Sequence, residues 1–156
     1  MALSELKKAY AVYEKKDKLP SFSSLNQLFE IDRIERDTEY LLRDIRKVVM
    51  EKITEYMKLI EMLLNPTAAP QMFMQFAKKI SIEERKLLES IYEKFIRFEL
   101  SALDLDLDYN ESKEADAIRT TYKMWTESIS DIRKVLGFMR RNFESSPNKK
   151  ERSYFG

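Results

Sequence analysis

Between Ile118 and Phe143, eight apolar residues recur at alternating steps of four and three: Ile118, Tyr122, Trp125, Ile129, Ile132, Leu136, Met139 and Phe143. A period of 3.5 residues kept over this length puts all eight on one face of an α-helix and forms a heptad-like seam. A helix with such a seam must lay it against other helices. Tyr122 and Trp125 belong to the seam, so they read as packing residues rather than as the walls of a cofactor pocket.

Four more segments fit the same class. From about Leu3 to Lys16, Leu6, Ala9, Tyr10 and Tyr13 form one stripe, with Ser4 in position to cap the helix. Lys18-Leu19-Pro20 and a serine cluster then break the chain. A second segment runs from about Leu25 to Leu64. Ser24 and Gln27 fit a capping box at its start, and Asn65-Pro66 stops it. Unbroken, it would be about 60 Å long at 1.5 Å per residue. The charged stretch from Asp32 to Asp37 is where a kink is expected, so this segment reads as either one helix or two. A short third segment follows Pro70, with Met72, Phe73, Phe76 and Ile80 on one side. The fourth opens on a second capping box, Ser81 and Glu84. Its stripe is Leu88, Ile91, Phe95, Phe98, Ala102 and Leu105, and it fades toward Asn110.

Short connections between long helices make neighbours antiparallel. The expected fold is all-α: an antiparallel helical bundle of about four main helices plus one short helix, with no sheet. Residues 1–144 are expected to form a single domain, and residues 145–156 a disordered basic C-terminal tail. The longest uncharged run, between Glu61 and Lys78, is interrupted by Asn65, Pro66 and Pro70, and the start shows no secretory h-region. The chain therefore reads as soluble and cytoplasmic, with no membrane partner.

Composition removes whole classes of chemistry. The 156 residues include no His and no Cys. Nucleophile systems built on His, zinc sites with nitrogen or sulfur ligands, His- or Cys-ligated haem and Cys-ligated iron–sulfur clusters cannot be assembled from this chain alone. The Glu-x-x-His pair of di-iron bundles is closed for the same reason. The two glycines, Gly137 and Gly156, lie in no glycine-rich loop, so there is no phosphate-cradling loop or dinucleotide fingerprint. Carboxylate-only Mg or Ca sites stay open. Asp104, Asp106 and Asp108 resemble the first half of a calcium loop, but Tyr109 stands at the turn glycine and Ala115 at the bidentate Glu. No cofactor is expected.

The net charge is +1, yet the charge is uneven. Residues 99–132 carry three basic and nine acidic groups, whereas residues 133–156 carry seven basic and two acidic. Antiparallel packing is expected to gather Asp104, Asp106, Asp108, Glu111, Glu114 and Asp116 at one end. Lys78, Lys79, Arg85 and Lys86 then meet Arg133, Lys134, Arg140 and Arg141 at the other. Much of this distribution matches helix dipoles. The basic set Lys78, Lys79, Arg140, Arg141, Lys149, Lys150 and Arg152, interleaved with Phe143, Tyr154 and Phe155, is a candidate anion or nucleic-acid surface. A pI of about 7.8 is low for a dedicated binder. Met57, Met62, Met72, Phe73, Met74 and Phe76 form a candidate partner surface, because methionine adapts to varied apolar shapes.

The runs LLRDIRKVVMEKITEYMKLIEML and SIEERKLLESIYEKF resemble the helical domain of archaeal GINS replication subunits, over about residues 1–100. GINS subunits usually add a small β-rich domain, and a helix occupies that place here. The chain as a whole resembles small archaeal helical proteins of uncharacterised families, from which no activity carries over. The reading is a non-enzymatic helical bundle acting through protein–protein contacts, as a homo-oligomer. The alternative is a GINS-like, nucleic-acid-associated accessory factor that uses its basic end.

Overall fold

The computed structural model describes residues 2–34 and 37–144. The fold is all-α, with no strand among the described residues. Among the described residues six α-helices follow in order: α1 (Leu3–Asp17), α2 (Phe22–Phe29), α3 (Leu41–Leu64), α4 (Gln71–Lys79), α5 (Ile82–Leu107) and α6 (Glu111–Glu144). Short 3-10 turns occupy Ile31–Arg33 and Pro66–Ala68. The expected tail, with Lys149, Lys150 and Arg152, lies outside the described residues.

The long second segment is two helices, and its start differs from the expected one. Ser24 lies inside α2; the cap is Ser21, whose hydroxyl accepts from the Ser24 amide at 3.1 Å. α2 ends at Phe29 and α3 begins at Leu41, so the interruption takes in the charged stretch expected to kink and begins just ahead of it, at Glu30. Glu30 adopts the left-handed conformation (φ 54°) that glycine usually supplies at a helix end. Asn26 holds the turn: its carbonyl oxygen accepts from the Asp32 amide at 2.8 Å, and its side-chain amide donates to the Asp32 carboxylate at 3.2 Å. Ile31 and Ile34 are buried beyond the break. Burial of these residues, rather than helix continuity, therefore sets the path of the chain. Lys18 ends α1 in the same left-handed way. Ser4 likewise lies inside α1, one residue past its start, and the Glu5 carboxylate accepts from the Ala2 amide at 3.2 Å.

Other signals land where the sequence puts them. Ser81 and Glu84 form a reciprocal capping box at the start of α5, with bonds of 3.1 and 3.3 Å. α3 stops at Leu64, before Pro66. On α6 the buried stripe is wider than the expected seam: Ile118, Thr121, Trp125, Ser128, Ile132, Val135 and Phe138 are buried. Tyr122, Ile129, Leu136 and Met139 are half-buried, and Phe143 is exposed. A stripe of this width suits a helix contacted by more than one neighbour.

The residues group into two compact units, each a helical cluster. One comprises the described residues of Met1–Tyr56 and Phe95–Thr126, the other those of Met57–Lys94 and Glu127–Gly156. In the first unit α3 and α5 run antiparallel: Arg43 reaches the Leu105 carbonyl, Arg46 the Ala102 carbonyl and Thr54 the Glu99 carboxylate. The core of this unit centres on Trp125. Its ring lies 5.2 Å from Tyr56, 5.9 Å from Phe29 and 6.0 Å from Phe95, which it stacks. α1 joins α2 through the buried Tyr10, whose hydroxyl donates to the Pro20 carbonyl at 2.6 Å and whose ring meets Phe22 edge-on. In the second unit Leu63, Phe76, Leu88, Ile91, Ile132 and Phe138 are buried. Arg85 caps the end of α3 at the Leu64 carbonyl, and Arg141 pairs with Glu84 at 3.5 Å. No described helix is long and apolar enough to cross a membrane.

Candidate functional site

In the first unit, charge is buried where the sequence offered only apolar seams. Arg46 is 2% exposed and Glu114 0%. The Arg46 guanidinium donates from Nε to Glu114 Oε2 at 2.5 Å and from Nη2 to Asp106 Oδ1 at 2.6 Å, and it reaches the Ala102 carbonyl at 3.4 Å. Arg43 adds a second donor to Glu114 at 3.2 Å and donates to the Leu105 carbonyl at 2.9 Å. Tyr40 and Tyr109 flank the Arg43 guanidinium, 5.9 and 5.2 Å away. One arginine therefore ties α3 to both α5 and α6. The planar, five-donor fork of arginine suits this multiple pairing.

The electrostatics follow from that geometry. Burial works against the charge on Arg46, and the hydrogen bonds it donates to Glu114 and Asp106, with the charge of both carboxylates, more than offset it, so its pKa ends raised. The hydrogen bond from Arg46 holds the Asp106 carboxyl below the usual carboxylate range, against a smaller opposing effect of burial. Because the folded-state pKa lies below the unfolded value of about 3.9, the Asp106 contact is fully stabilising above that pH. Its contribution is lost as pH falls through the folded-state value. The thermal midpoint is expected to drop below about pH 4, and Asp106→Asn is expected to show a shallower drop in the same scan.

The acidic region expected between 104 and 116 is thus largely paired. Asp106 and Glu114 hold Arg46, Glu111 holds Lys16 at 2.5 Å, and Asp116 holds Arg119 at 3.0 Å. Arg119 also donates to the Asp17 carbonyl. Among the described residues, no group of three or more acidic side chains is placed to hold a metal ion. An open cleft of about 500 Å³ lies beside this network, with Arg46, Ser101, Asp104, Lys113, Asp116 and Arg119 among its walls. Three of those charges, on Arg46, Asp116 and Arg119, are engaged in the ion pairs above.

On another face of α5 the unit presents apolar side chains to water. Leu100, Leu103 and Leu107 are 60%, 55% and 84% exposed. With the half-buried Ile96 they recur at steps of four, three and four, a stripe separate from the buried one. Its flanks differ. Toward the core, Glu99 accepts from Thr54 at 2.9 Å and Asp106 from Arg46. Toward solvent, Arg97 and Asp104 are exposed, and neither side chain has an ion-pair partner among the described residues.

The chain matches no protein-family model, no curated protein and no solved structure. The candidate residues therefore stand on geometry alone. Met57 and Phe76 are buried in the second unit, so they are core rather than partner surface. Met62 and Phe73 are half-buried, with Phe73 edge-on to Phe76 at 6.1 Å, whereas Met72 and Met74 are exposed. The methionine-rich stretch thus divides between core and surface. Lys78, Lys79, Arg140 and Arg141 are all exposed in the second unit, and Arg141 is paired with Glu84.

Two features were missed in the sequence although a signal was there. Leu42, Arg46, Val49 and Ile53 follow the 4-3-4 step, which puts Arg46 in a core position; Glu114 extends the α6 seam one step ahead of Ile118. The stripe at 96, 100, 103 and 107 has the same 4-3-4 step.

Proposed function

We propose that this protein is a non-enzymatic helical module that acts by binding protein through the α5 stripe of Leu100, Leu103 and Leu107. The supporting observation is the exposure of three leucines in one row on an ordered helix. Burying a leucine side chain is worth about 1.5–3 kcal/mol relative to leaving it in water. A continuous row left open on a helix that is fastened on its other sides is therefore a surface suited to a partner. The fastening comes from Arg43, Arg46 and Thr54, which bond α5 at Leu105, Ala102, Asp106 and Glu99. They present the stripe on a rigid support and limit the ordering cost of binding.

The test is site-specific photo-crosslinking in cells, with benzoylphenylalanine at Leu103 and, for comparison, at Lys79. A discrete protein adduct at 103, of whatever mass, is expected. No adduct at 103 together with a nucleic-acid adduct at 79 would overturn the proposal in favour of the basic surface.

A further inference from the structure

We infer that the occupant of the α5 stripe is a second copy of this chain, its α5 running antiparallel to the first. The inference rests on the reading of the stripe as a protein-binding surface and names the partner. Three observations carry it. The first is spacing. Ile96, Leu100, Leu103 and Leu107 are symmetric about the midpoint between Leu100 and Leu103. In an antiparallel helix pair, core layers join one kind of seam position to the other. Leu100 then faces Leu103 of the second copy, and Ile96 faces Leu107. Each apolar side chain has a partner, and the contact closes on itself under a two-fold axis.

The second observation is charge. Arg97 and Asp104, one residue past Ile96 and Leu103, both lie exposed on the flank of the stripe away from Glu99 and Asp106, Asp104 also at the wall of the open cleft, and neither has an ion-pair partner among the described residues. The same two-fold axis sets Arg97 beside Asp104 of the second copy, and Asp104 beside its Arg97. Two ion pairs form at equivalent positions. A parallel pairing would instead bring Glu99 next to Asp104 of the second copy, acid against acid. The charge pattern thus selects the antiparallel direction.

The third observation concerns the inward flank. There the antiparallel pairing brings Glu99 toward Asp106 of the second copy. Glu99 already accepts from Thr54, and Asp106 already holds the Arg46 guanidinium. These intrachain donors reduce the repulsion that two bare carboxylates would exert. The seam covers about three turns, so its area falls at or below the low end of the roughly 1,200–2,000 Å² of standard interfaces. The dimer is accordingly concentration-dependent rather than permanent.

The experiment is sedimentation equilibrium on the full purified chain at several concentrations, with far-UV circular dichroism to show that each variant keeps its helix content. The wild type is expected to shift from monomer to dimer as concentration rises. L103E is expected to stay monomeric with unchanged helicity. R97D and D104R are each expected to weaken the dimer by about tenfold, since each turns two exposed ion pairs into two repulsions. The double variant R97D/D104R is expected to recover to within a few-fold of wild type. If the double variant stays as weak as the single ones, the antiparallel register is overturned. A wild type that is monomeric throughout overturns self-pairing; if the Leu103 photo-adduct then has a mass other than twice the chain, the protein-binding reading still stands.

Discussion

Replacing Glu114 with alanine is expected to destabilise the fold by about 3–5 kcal/mol, the range for breaking a buried ion pair by removing one partner. Glu114 is fully buried and accepts from both Arg46 and Arg43. Without it, Arg46 keeps Asp106, which is 44% exposed, and the Ala102 carbonyl at 3.4 Å, so a buried guanidinium is left with one half-solvated counter-charge. Glu114→Gln keeps the shape and one acceptor and is expected to cost less. The pair Arg46→Met with Glu114→Leu is expected to recover most of the loss, because apolar residues of similar volume often equal a buried ion pair in stability. Urea denaturation of the four chains separates these cases. If Glu114→Ala costs less than about 1 kcal/mol, water reaches the site and the pairing is that of a surface bridge.

The Glu114 network also shows what periodicity reveals and what it hides. Apolar spacing located the helical segments, with α2 and α3 inside one of them, and on α6 it shared Ile118, Trp125 and Ile132 with the buried row but took Tyr122 and Ile129 where Thr121 and Ser128 are buried. It placed the Ser81–Glu84 box and the stop at Pro66, because capping and proline act through the local backbone. It put an interruption in the charged stretch but did not show that it begins at Glu30. A left-handed helix end is usually marked by glycine, and here glutamate takes that conformation while Asn26 and the buried Ile31 hold the turn. Nor did it show Arg46 and Glu114 as core residues. Charge marks a position as solvent-facing until a partner on another helix is known, and these partners are 68 positions apart. The leucines at 100, 103 and 107 lay hidden for a related reason. α5 carries two stripes of similar period, and only packing distinguishes the buried one from the open one.

Trp125→Ala is expected to cost a similar amount, about 3–5 kcal/mol, through loss of packing rather than of charge. The indole is the meeting point of three aromatic rings, Phe29 from α2, Tyr56 from α3 and Phe95 from α5. Lys52 adds a cation 5.6 Å from the ring while its ammonium donates to the Leu28 carbonyl at 2.5 Å. Alanine would leave a cavity lined by side chains from several helices, and no single neighbour can move into it without abandoning its own contacts. Trp125→Phe keeps an aromatic ring at the same place and is expected to lose less than half as much. With a urea slope of about 1–3 kcal/mol per molar, the alanine variant should unfold at least 1 M earlier. The tryptophan is unique in the chain, so its emission in the native protein should be blue-shifted and should move red as urea unfolds the first unit. Folding of Trp125→Ala at wild-type urea concentrations would show that the four-helix junction is held by the Arg46–Glu114 network and not by its aromatic core.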